Sequence, residues 1–206
     1  MSVKVLRGGN ARIRSRGTEV AERECVPRSF WDVLDSWGGK WIWELVEPKY
    51  RTGDLSWLDK GMKNGTLVRC ADGSYRKKIS PFVSSAGWVI HCTSSSNSIE
   101  GGVYEVSDSA NAYRAKQLDI DAFHHLMAAL SVFYGHKDWK SRGGCDSLGA
   151  IKITRRRLKG IRPSMKCADI LRNIRTARNK MTAKPDYFHV FGHMDDWPRD
   201  DPDDAP

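Results

Sequence analysis

The chain has 206 residues, of which 40% are hydrophobic and 29% are charged, and its formal net charge is +9. This composition excludes wholesale disorder and predicts one domain with its own hydrophobic core, together with shorter extensions. The longest apolar stretch, residues 122–134, is interrupted by His124 and His125 and falls short of the roughly 20 apolar residues that a membrane span needs. We therefore expect a soluble protein that has no membrane partner.

The basic charge is concentrated in one region of the chain. Residues 195–206 hold six aspartates and one arginine, a net charge of −5, so the preceding residues carry +14. Residues 152–184 contain twelve lysines or arginines and a single acidic residue, Asp169. Such a density of cations predicts a surface that binds the phosphates of a nucleic acid, although a solvated helix face is the alternative.

The five cysteines are widely spaced and show none of the short paired spacings that build zinc or redox sites. Free cysteines are typical of the reducing compartments of the cell. We therefore expect reduced cysteines and an intracellular protein, either cytoplasmic or nuclear.

The first 64 residues divide into two parts. Residues 1–27 are polar and basic without periodicity, which predicts a flexible N-terminal arm. Residues 28–64 hold five of the eight tryptophans, so we expect two short helices or turns that pack against the main domain. The same aromatic segment, residues 28–60, is a candidate surface for a protein partner.

The main domain begins near residue 65 with three predicted strands, at 66–70, 86–92 and 102–106, separated by polar turns. Short polar turns between consecutive strands are typical of an antiparallel meander. Apolar residues at steps of three and four then predict a long helix over 112–134.

Strands and helices alternate in the second half of the domain. A short strand is expected to end at Asp146, and a helix is expected to begin at Leu148. A basic amphipathic helix with Ser164 as its N-cap follows, and then a last strand over 187–191. The Asp- and Pro-rich tail, residues 198–206, is expected to be disordered.

Four polar residues follow predicted strands, namely Asp72, Asp146, His193 and Asp195. Because a sheet brings together the ends of strands that are distant in sequence, these residues can form one site. Carboxylates can hold two Mg²⁺ ions about 4 Å apart, an arrangement that hydrolyses phosphodiesters. The alternatives are a turn role for Asp72, since Asp-Gly-Ser is common in turns, and a helix cap for Asp146.

Five short motifs occur in order along the predicted elements, and they are Ala71-Asp72-Gly73-Ser74, Ala86-Gly87-Trp88-Val89-Ile90, Ala112-Tyr113-Arg114, Cys145-Asp146-Ser147 and His189-Val190-Phe191-Gly192-His193. Together they resemble the ribonuclease H domains of reverse transcriptases and retroelements. The resemblance covers residues 65–197. It implies an α/β fold of the ribonuclease H type, in which helices flank a mixed five-stranded sheet with three antiparallel strands followed by parallel ones.

The resemblance also implies a function and a set of site residues. Asp72 and Asp146 would bind Mg²⁺ or Mn²⁺ in a two-metal site, and Asp195 or Asp196 would supply a further carboxylate. His193 would lie in a flexible loop that assists proton transfer or product release. The implied activity is metal-dependent endonucleolytic hydrolysis of the RNA strand of an RNA–DNA hybrid.

One residue departs from the family pattern in a way that bears on this activity. The family has a glutamate in the first turn of the long helix, where this chain has Lys116. An ammonium in place of a carboxylate disfavours divalent ions by Coulomb's law. Asp119 lies three residues further along nearly the same helical face and could partly substitute as a metal ligand. We therefore expect weak activity or none.

Three functions stay open from the sequence: a weakened ribonuclease H, a catalytically inactive nucleic-acid-binding module, and a structural component of a ribonucleoprotein. In each case the partner would be an RNA–DNA hybrid or double-stranded RNA. The predicted nucleic-acid contacts are Ser74, Arg114, Arg155, Arg156, Arg157, Lys159, Arg172, Arg175 and Arg178.

Overall fold

The computed structural model describes residues 2–5, 11–14, 26–156, 160–183 and 185–190. Near the N-terminus, strand β1 (Ser2–Val5) pairs antiparallel with strand β2 (Ala11–Arg14). This part of the basic arm therefore has regular backbone structure, where the sequence predicted none. The predicted acidic tail, residues 198–206, lies outside the described residues.

The Trp-rich segment forms four short helices rather than the two that were predicted. They are α1 (Phe30–Ser36), α2 (Lys40–Trp43), α3 (Pro48–Thr52) and α4 (Ser56–Asn64). Helix α1 begins with a capping box, because the side chains of Ser29 and Asp32 each accept a hydrogen bond from the other's backbone N–H. The aromatic side chains of this segment pack into or against the main hydrophobic core.

The central sheet has five strands in the order β5-β4-β3-β6-β7. Strands β3, β4 and β5 are antiparallel neighbours, whereas β6 pairs parallel with β3 and β7 pairs parallel with β6. The predicted mixed sheet is confirmed. The strands are β3 (Leu67–Ser74), β4 (Val83–Cys92), β5 (Ser98–Val106), β6 (Ser141–Cys145) and β7 (Asp186–His189).

Three helices accompany the sheet. Helix α5 (Ala112–Tyr134) has the predicted bounds and packs against β3, β4 and β5. Helix α6 (Leu148–Arg155) also begins where it was predicted, with the Ser147 hydroxyl accepting from Ala150 N–H. The predicted N-cap of the last helix is wrong, since α7 (Ala168–Asn179) begins later, after turns that occupy residues 163–167.

The two faces of the sheet differ in their covering. Inward side chains of β3, β4 and β5, such as Leu67, Trp88 and Ile99, are buried beneath α5. The opposite face presents exposed side chains, among them Asp72 and Tyr104. No helix in the described part of the chain is long and apolar enough to cross a membrane.

Candidate functional site

Asp72 and Asp146 lie at equivalent register positions of two neighbouring parallel strands, Asp72 within β3 and Asp146 directly after β6. Cys70 of β3 pairs with Gly144 of β6, and each aspartate follows two residues later. Asp72 is part of β3 itself, where it pairs with Gly87 of β4. The alternative of a turn role for Asp72 is therefore wrong, because the backbone is extended there. The sheet register brings the two predicted carboxylates together.

Lys116 connects the two aspartates. Its Nζ donates one hydrogen bond to Asp72 Oδ1, at 3.0 Å, and a second to Asp146 Oδ2. Two hydrogen bonds of about 3 Å from one nitrogen place the bonded oxygens within about 6 Å of each other. Gly73 permits this approach of α5, since a Cβ atom at that position would lie 2.8 Å from the backbone nitrogen of Lys116.

The three groups differ in exposure, and this determines their electrostatics. The side chains of Lys116 and Asp146 are 17% and 15% exposed, whereas that of Asp72 is 77% exposed. Burial by itself would lower the pKa of Lys116, but the hydrogen bonds to Asp146 and Asp72 outweigh it and raise that pKa. Lys116 is therefore a cation at neutral pH, and the cluster of three carries a net charge of about −1.

These residues do not fit a two-metal site. The ammonium of Lys116 occupies one oxygen of each carboxylate, and its charge repels a divalent ion. Within the described ranges there is no group of three or more His, Cys, Asp or Glu side chains that could hold a metal ion.

The structure places the predicted helper Asp119 elsewhere. Its carboxylate forms an ion pair with Arg69, and both side chains are at most 2% exposed. The guanidinium of Arg69 also lies 4.9 Å from the centre of the Phe123 ring, and burial lowers the pKa of Arg69 to about 10. Asp119 therefore neutralises a cation in the core and does not join Asp72 and Asp146. The inward position of Arg69 on an alternating strand was the sequence signal for a buried acidic partner.

The predicted site residues His193 and Asp195 lie outside the described residues. A different histidine adjoins the site, because Nε2 of His189 donates to the backbone oxygen of Asp146 at 3.1 Å. His189 belongs to β7, next to the strand that leads to Asp146. In the sequence it was part of a motif without a role of its own.

Arg114 was predicted to bind nucleic acid, but its guanidinium is already used within the protein. It donates two hydrogen bonds of 2.6 Å to Glu105 and one of 3.0 Å to Asp169, beside a further contact with Asp169, and it is 7% exposed. The hydrogen bonds to Asp169 and Glu105 raise its pKa. Arg114 therefore joins β5, α5 and α7 and is not available to a phosphate.

The predicted basic ridge on α6 and α7 is partly committed in the same way. Arg178 donates to the backbone oxygen of Thr154 at 2.7 Å, near the end of α6, where carbonyl groups lack helical partners. Arg155 donates to Asp186 Oδ1 at 3.2 Å and to the Tyr187 carbonyl.

The other predicted ridge residues differ in exposure. Arg175 is exposed. Arg156 is exposed and Arg172 half-buried, and neither side chain has an ion pair or hydrogen bond among the residues that are described. Arg157 and Lys159 lie outside those residues. The ridge therefore offers fewer available cations than its sequence indicated.

A second basic segment was missed. The predicted contact Ser74 is exposed at the end of β3, and the next cations, Arg76, Lys77 and Lys78, are exposed in the loop that leads to β4. The signal was an Arg-Lys-Lys run directly after the Asp-Gly-Ser motif. It was overlooked because the larger charge density lies near the C-terminus.

Known proteins provide a comparison at the level of the fold. No known protein family and no curated protein matches the sequence. Solved structures that are similar include RNase H1 from the halophilic archaeon Halobacterium salinarum NRC-1, which is 22% identical with a TM-score of 0.39, over 61% of this chain and 86% of that chain.

Two further similar structures hold nucleic acid. LC11-RNase H1 in complex with an RNA/DNA hybrid is 16% identical with a TM-score of 0.43, over 61% of this chain and 86% of that one. The foamy viral protease-reverse transcriptase in complex with an RNA/DNA hybrid is 12% identical with a TM-score of 0.45, over 64% of this chain and 18% of that one. The strand order and strand directions described above are those that the sequence resemblance implied, a mixed sheet of three antiparallel strands followed by parallel ones.

Proposed function

We propose that this protein is a ribonuclease H-like nucleic-acid-binding module in which Lys116 takes the place of the catalytic cations. One observation carries the proposal: the Lys116 ammonium donates hydrogen bonds to both Asp72 and Asp146. A positive charge is thereby held between the carboxylates that the family resemblance assigns to metal binding.

The magnitude of the charge effect supports this conclusion. An ammonium about 4 Å from a divalent cation is repelled by about 8 kcal/mol at an effective dielectric constant of about 20. The two aspartates could offset part of that repulsion, but one oxygen of each is already engaged with the ammonium. Binding without cleavage is therefore the function that this cluster supports best.

The partner that fits is a duplex recognised by its backbone. The cations that remain available lie on α6, on α7 and in the loop after β3, and they suit phosphates rather than base edges. An RNA–DNA hybrid or double-stranded RNA presents an A-form-like shape that proteins recognise without sequence specificity. The logarithm of the binding constant should then fall linearly with the logarithm of the salt concentration.

The test combines a cleavage assay with a metal-binding measurement. The unmodified protein is expected to bind a hybrid and to leave it uncut in Mg²⁺ or Mn²⁺. Lys116→Glu is expected to bind Mn²⁺ in calorimetry, because it restores a third carboxylate and removes the ammonium. Lys137→Glu makes the same charge change at an exposed position outside the site and serves as the control. Metal-dependent cleavage by the unmodified protein, unchanged by Lys116→Glu, would overturn the proposal.

A second candidate, a weak metal-dependent ribonuclease H, is favoured by one observation. Asp146 Oδ1 is buried and has no hydrogen-bond partner in the described part of the chain. A buried carboxylate oxygen without a partner is costly, and an ion or a water molecule could satisfy it. This candidate requires Lys116 to move away from Asp146 when metal binds. Slow Mn²⁺-dependent cleavage that Asp146→Asn abolishes would support it.

A further inference from the structure

The loop between β3 and β4, residues 75–82, is held in shape by its own hydrogen bonds. Tyr75 Oη donates to the Pro81 carbonyl at 3.2 Å, so the side chain closes the loop. The backbone N–H groups of Ile79 and Ser80 both donate to the Arg76 carbonyl at 2.9 Å. Such a closed loop presents its side chains at defined positions.

This loop displays charge and apolar surface together. Arg76, Lys77 and Lys78 are exposed and make no side-chain hydrogen bond or ion pair with any other described residue. Beside them, Ile79 is 75% exposed and Phe82 is 54% exposed. Three adjacent cations repel one another, and the fold supplies no described anion that offsets this repulsion. A bound polyanion would offset it.

The exposed face of the sheet continues from the loop towards the Lys116 cluster. Ser74, Ser85 and Tyr104 form one row across β3, β4 and β5, and the side chain of Tyr104 is exposed. In the next row, Asp72 pairs with Gly87, which pairs with Gly102. Two neighbouring glycines leave this face shallow, and a Cβ at Gly87 would have no atom within 4 Å. The face is therefore open at Gly87, whereas at Gly102 a Cβ would lie 3.5 Å from Leu45 Cδ1.

We infer that residues 75–82, with Tyr104, bind a single-stranded segment of nucleic acid that extends from the duplex. The inference rests on the proposed function. Single strands are bound by a basic groove that follows the phosphates, combined with aromatic side chains on which unpaired bases stack. Arg76, Lys77 and Lys78 supply the charge, and Phe82 and Tyr104 supply the stacking surface. Paired bases inside a duplex would leave both aromatic rings unused.

The surroundings also limit the path of the strand. A cavity of about 620 Å³ adjoins Asp72 on the same face, and its lining includes Glu47 and Glu100. Carboxylates repel phosphates, so the cavity is unsuited to the backbone of a nucleic acid. The strand is therefore directed from Ser74 towards the loop and not into the cavity.

The experiment compares a blunt RNA–DNA hybrid with the same hybrid carrying a 3′ or a 5′ single-stranded extension, by fluorescence anisotropy at several salt concentrations. For the unmodified protein, one of the extensions is expected to raise affinity about tenfold, since stacking of a base on an aromatic ring supplies roughly 1–3 kcal/mol. The triple variant Arg76→Gln, Lys77→Gln, Lys78→Gln is expected to lose that gain. It should also flatten the log-log salt slope by about two units, at about 0.7 per phosphate of a single strand.

Matched variants distinguish the contribution of charge to binding from that of stacking, and the contribution of the loop from that of the basic ridge on α6 and α7. Phe82→Ser with Tyr104→Ser should abolish the gain from the extension and leave the salt slope nearly unchanged. The control Lys152→Gln, Arg156→Gln, Arg172→Gln removes the same charge from α6, its C-terminal cap and α7, and it should weaken the binding of the blunt and the extended hybrid alike. Circular dichroism of each variant verifies folding.

The outcomes distinguish this inference from the proposed function. If the unmodified protein binds neither ligand at low salt, the proposed function fails and the inference fails with it. If it binds the hybrid but neither extension adds affinity, or if the loop variant keeps the gain, only the inference is overturned. A synthetic peptide of residues 195–206 that binds the loop and displaces the extended hybrid would overturn it in favour of an acidic peptide ligand.

Discussion

Two ion-pair clusters join helix α5 to strand β3 one helical turn apart, and they are reversed in charge. In the first, the helix supplies the cation Lys116 and the acids are Asp72 and Asp146. In the second, the helix supplies the acid Asp119 and the strand supplies the cation Arg69. The first cluster opens to solvent through Asp72, whereas the second is buried in the core.

Because the two clusters differ in burial, substitutions in them are expected to differ in their cost in folding stability. Removing one member of a buried pair leaves an uncompensated charge in a medium of low polarity. Solvent can stabilise the members of the open cluster when a partner is lost, so substitution there is tolerated. We therefore expect the open cluster to tolerate a change of charge at position 116 without loss of the fold, whereas the Arg69 pair must change on both sides at once.

The largest effect is expected from breaking the buried pair. Arg69→Met leaves Asp119 charged and unpaired, and the free energy of unfolding should fall by about 3–5 kcal/mol in urea denaturation. The double variant Arg69→Met, Asp119→Leu should recover most of that loss, since apolar residues replace both charges. If the single variant loses less than about 1 kcal/mol, the buried ion pair does not carry the cost expected of an unpaired buried charge.

A pH-dependent effect is expected beside the buried pair. His124 Nδ1 donates a hydrogen bond to the Ile120 carbonyl at 2.9 Å and lies 3.1 Å from the Tyr187 hydroxyl oxygen, and burial lowers the pKa of His124 to about 3. Its folded-state pKa is thus below the unfolded value of about 6.5, so between these values the unfolded state binds the extra proton. The free energy of unfolding should fall as the pH falls, by about 2 kcal/mol between pH 6.5 and pH 5.

His124→Gln isolates this contribution, because the variant lacks the titrating group. Its free energy of unfolding should depend less on pH than that of the unmodified protein over the same interval. His91→Gln, at an exposed position, is the control and should retain the full dependence. Equal pH dependence in the unmodified protein and in His124→Gln would contradict the burial argument.

An intermediate effect is expected from Lys116→Glu. Three carboxylates without a cation repel one another, so the free energy of unfolding should fall by about 1–2 kcal/mol in the absence of divalent ions. Saturating Mn²⁺ should raise the melting temperature of this variant and leave that of the unmodified protein unchanged. A variant that is insensitive to Mn²⁺ would show that Glu at this position does not complete a metal site.

The smallest effect is expected from the exposed partner of Lys116. Asp72→Asn should change the free energy of unfolding by less than about 1 kcal/mol, because the Asp72 side chain is 77% exposed. Asp146→Asn should cost more, since that side chain is 15% exposed. Urea denaturation of both variants tests this order. The reverse order would mean that side-chain exposure does not determine how much each aspartate contributes to stability.

The order of the elements could be predicted because it depends on local patterns. Apolar residues at helical spacing defined α5 at its observed bounds, and alternating strands separated by polar turns indicated the sheet. The proximity of Asp72 and Asp146 followed from the ends of parallel strands. The start of α7 was placed too early because Ser164 is a favourable N-cap in isolation, whereas residues 163–167 form turns instead.

The roles of individual charged residues could not be predicted in the same way. Arg114 resembled a nucleic-acid contact, but its partner Asp169 is 55 residues away in the chain. Arg178 resembled part of a basic ridge, but its guanidinium donates to a carbonyl 24 residues earlier. A charge can be counted from the sequence, while its availability to a ligand depends on which acceptors the fold brings near.

The sequence by itself determined the order of the strands and helices and the presence of a lysine, Lys116, in the first turns of the long helix, because these depend on residue type and on spacing along the chain. Only the tertiary structure decided that Lys116 bridges Asp72 and Asp146, and that Asp119 belongs to Arg69 instead. The physical reason is that hydrogen bonds and ion pairs act over a few ångströms in space. Which groups come that close is set by sheet register and helix packing.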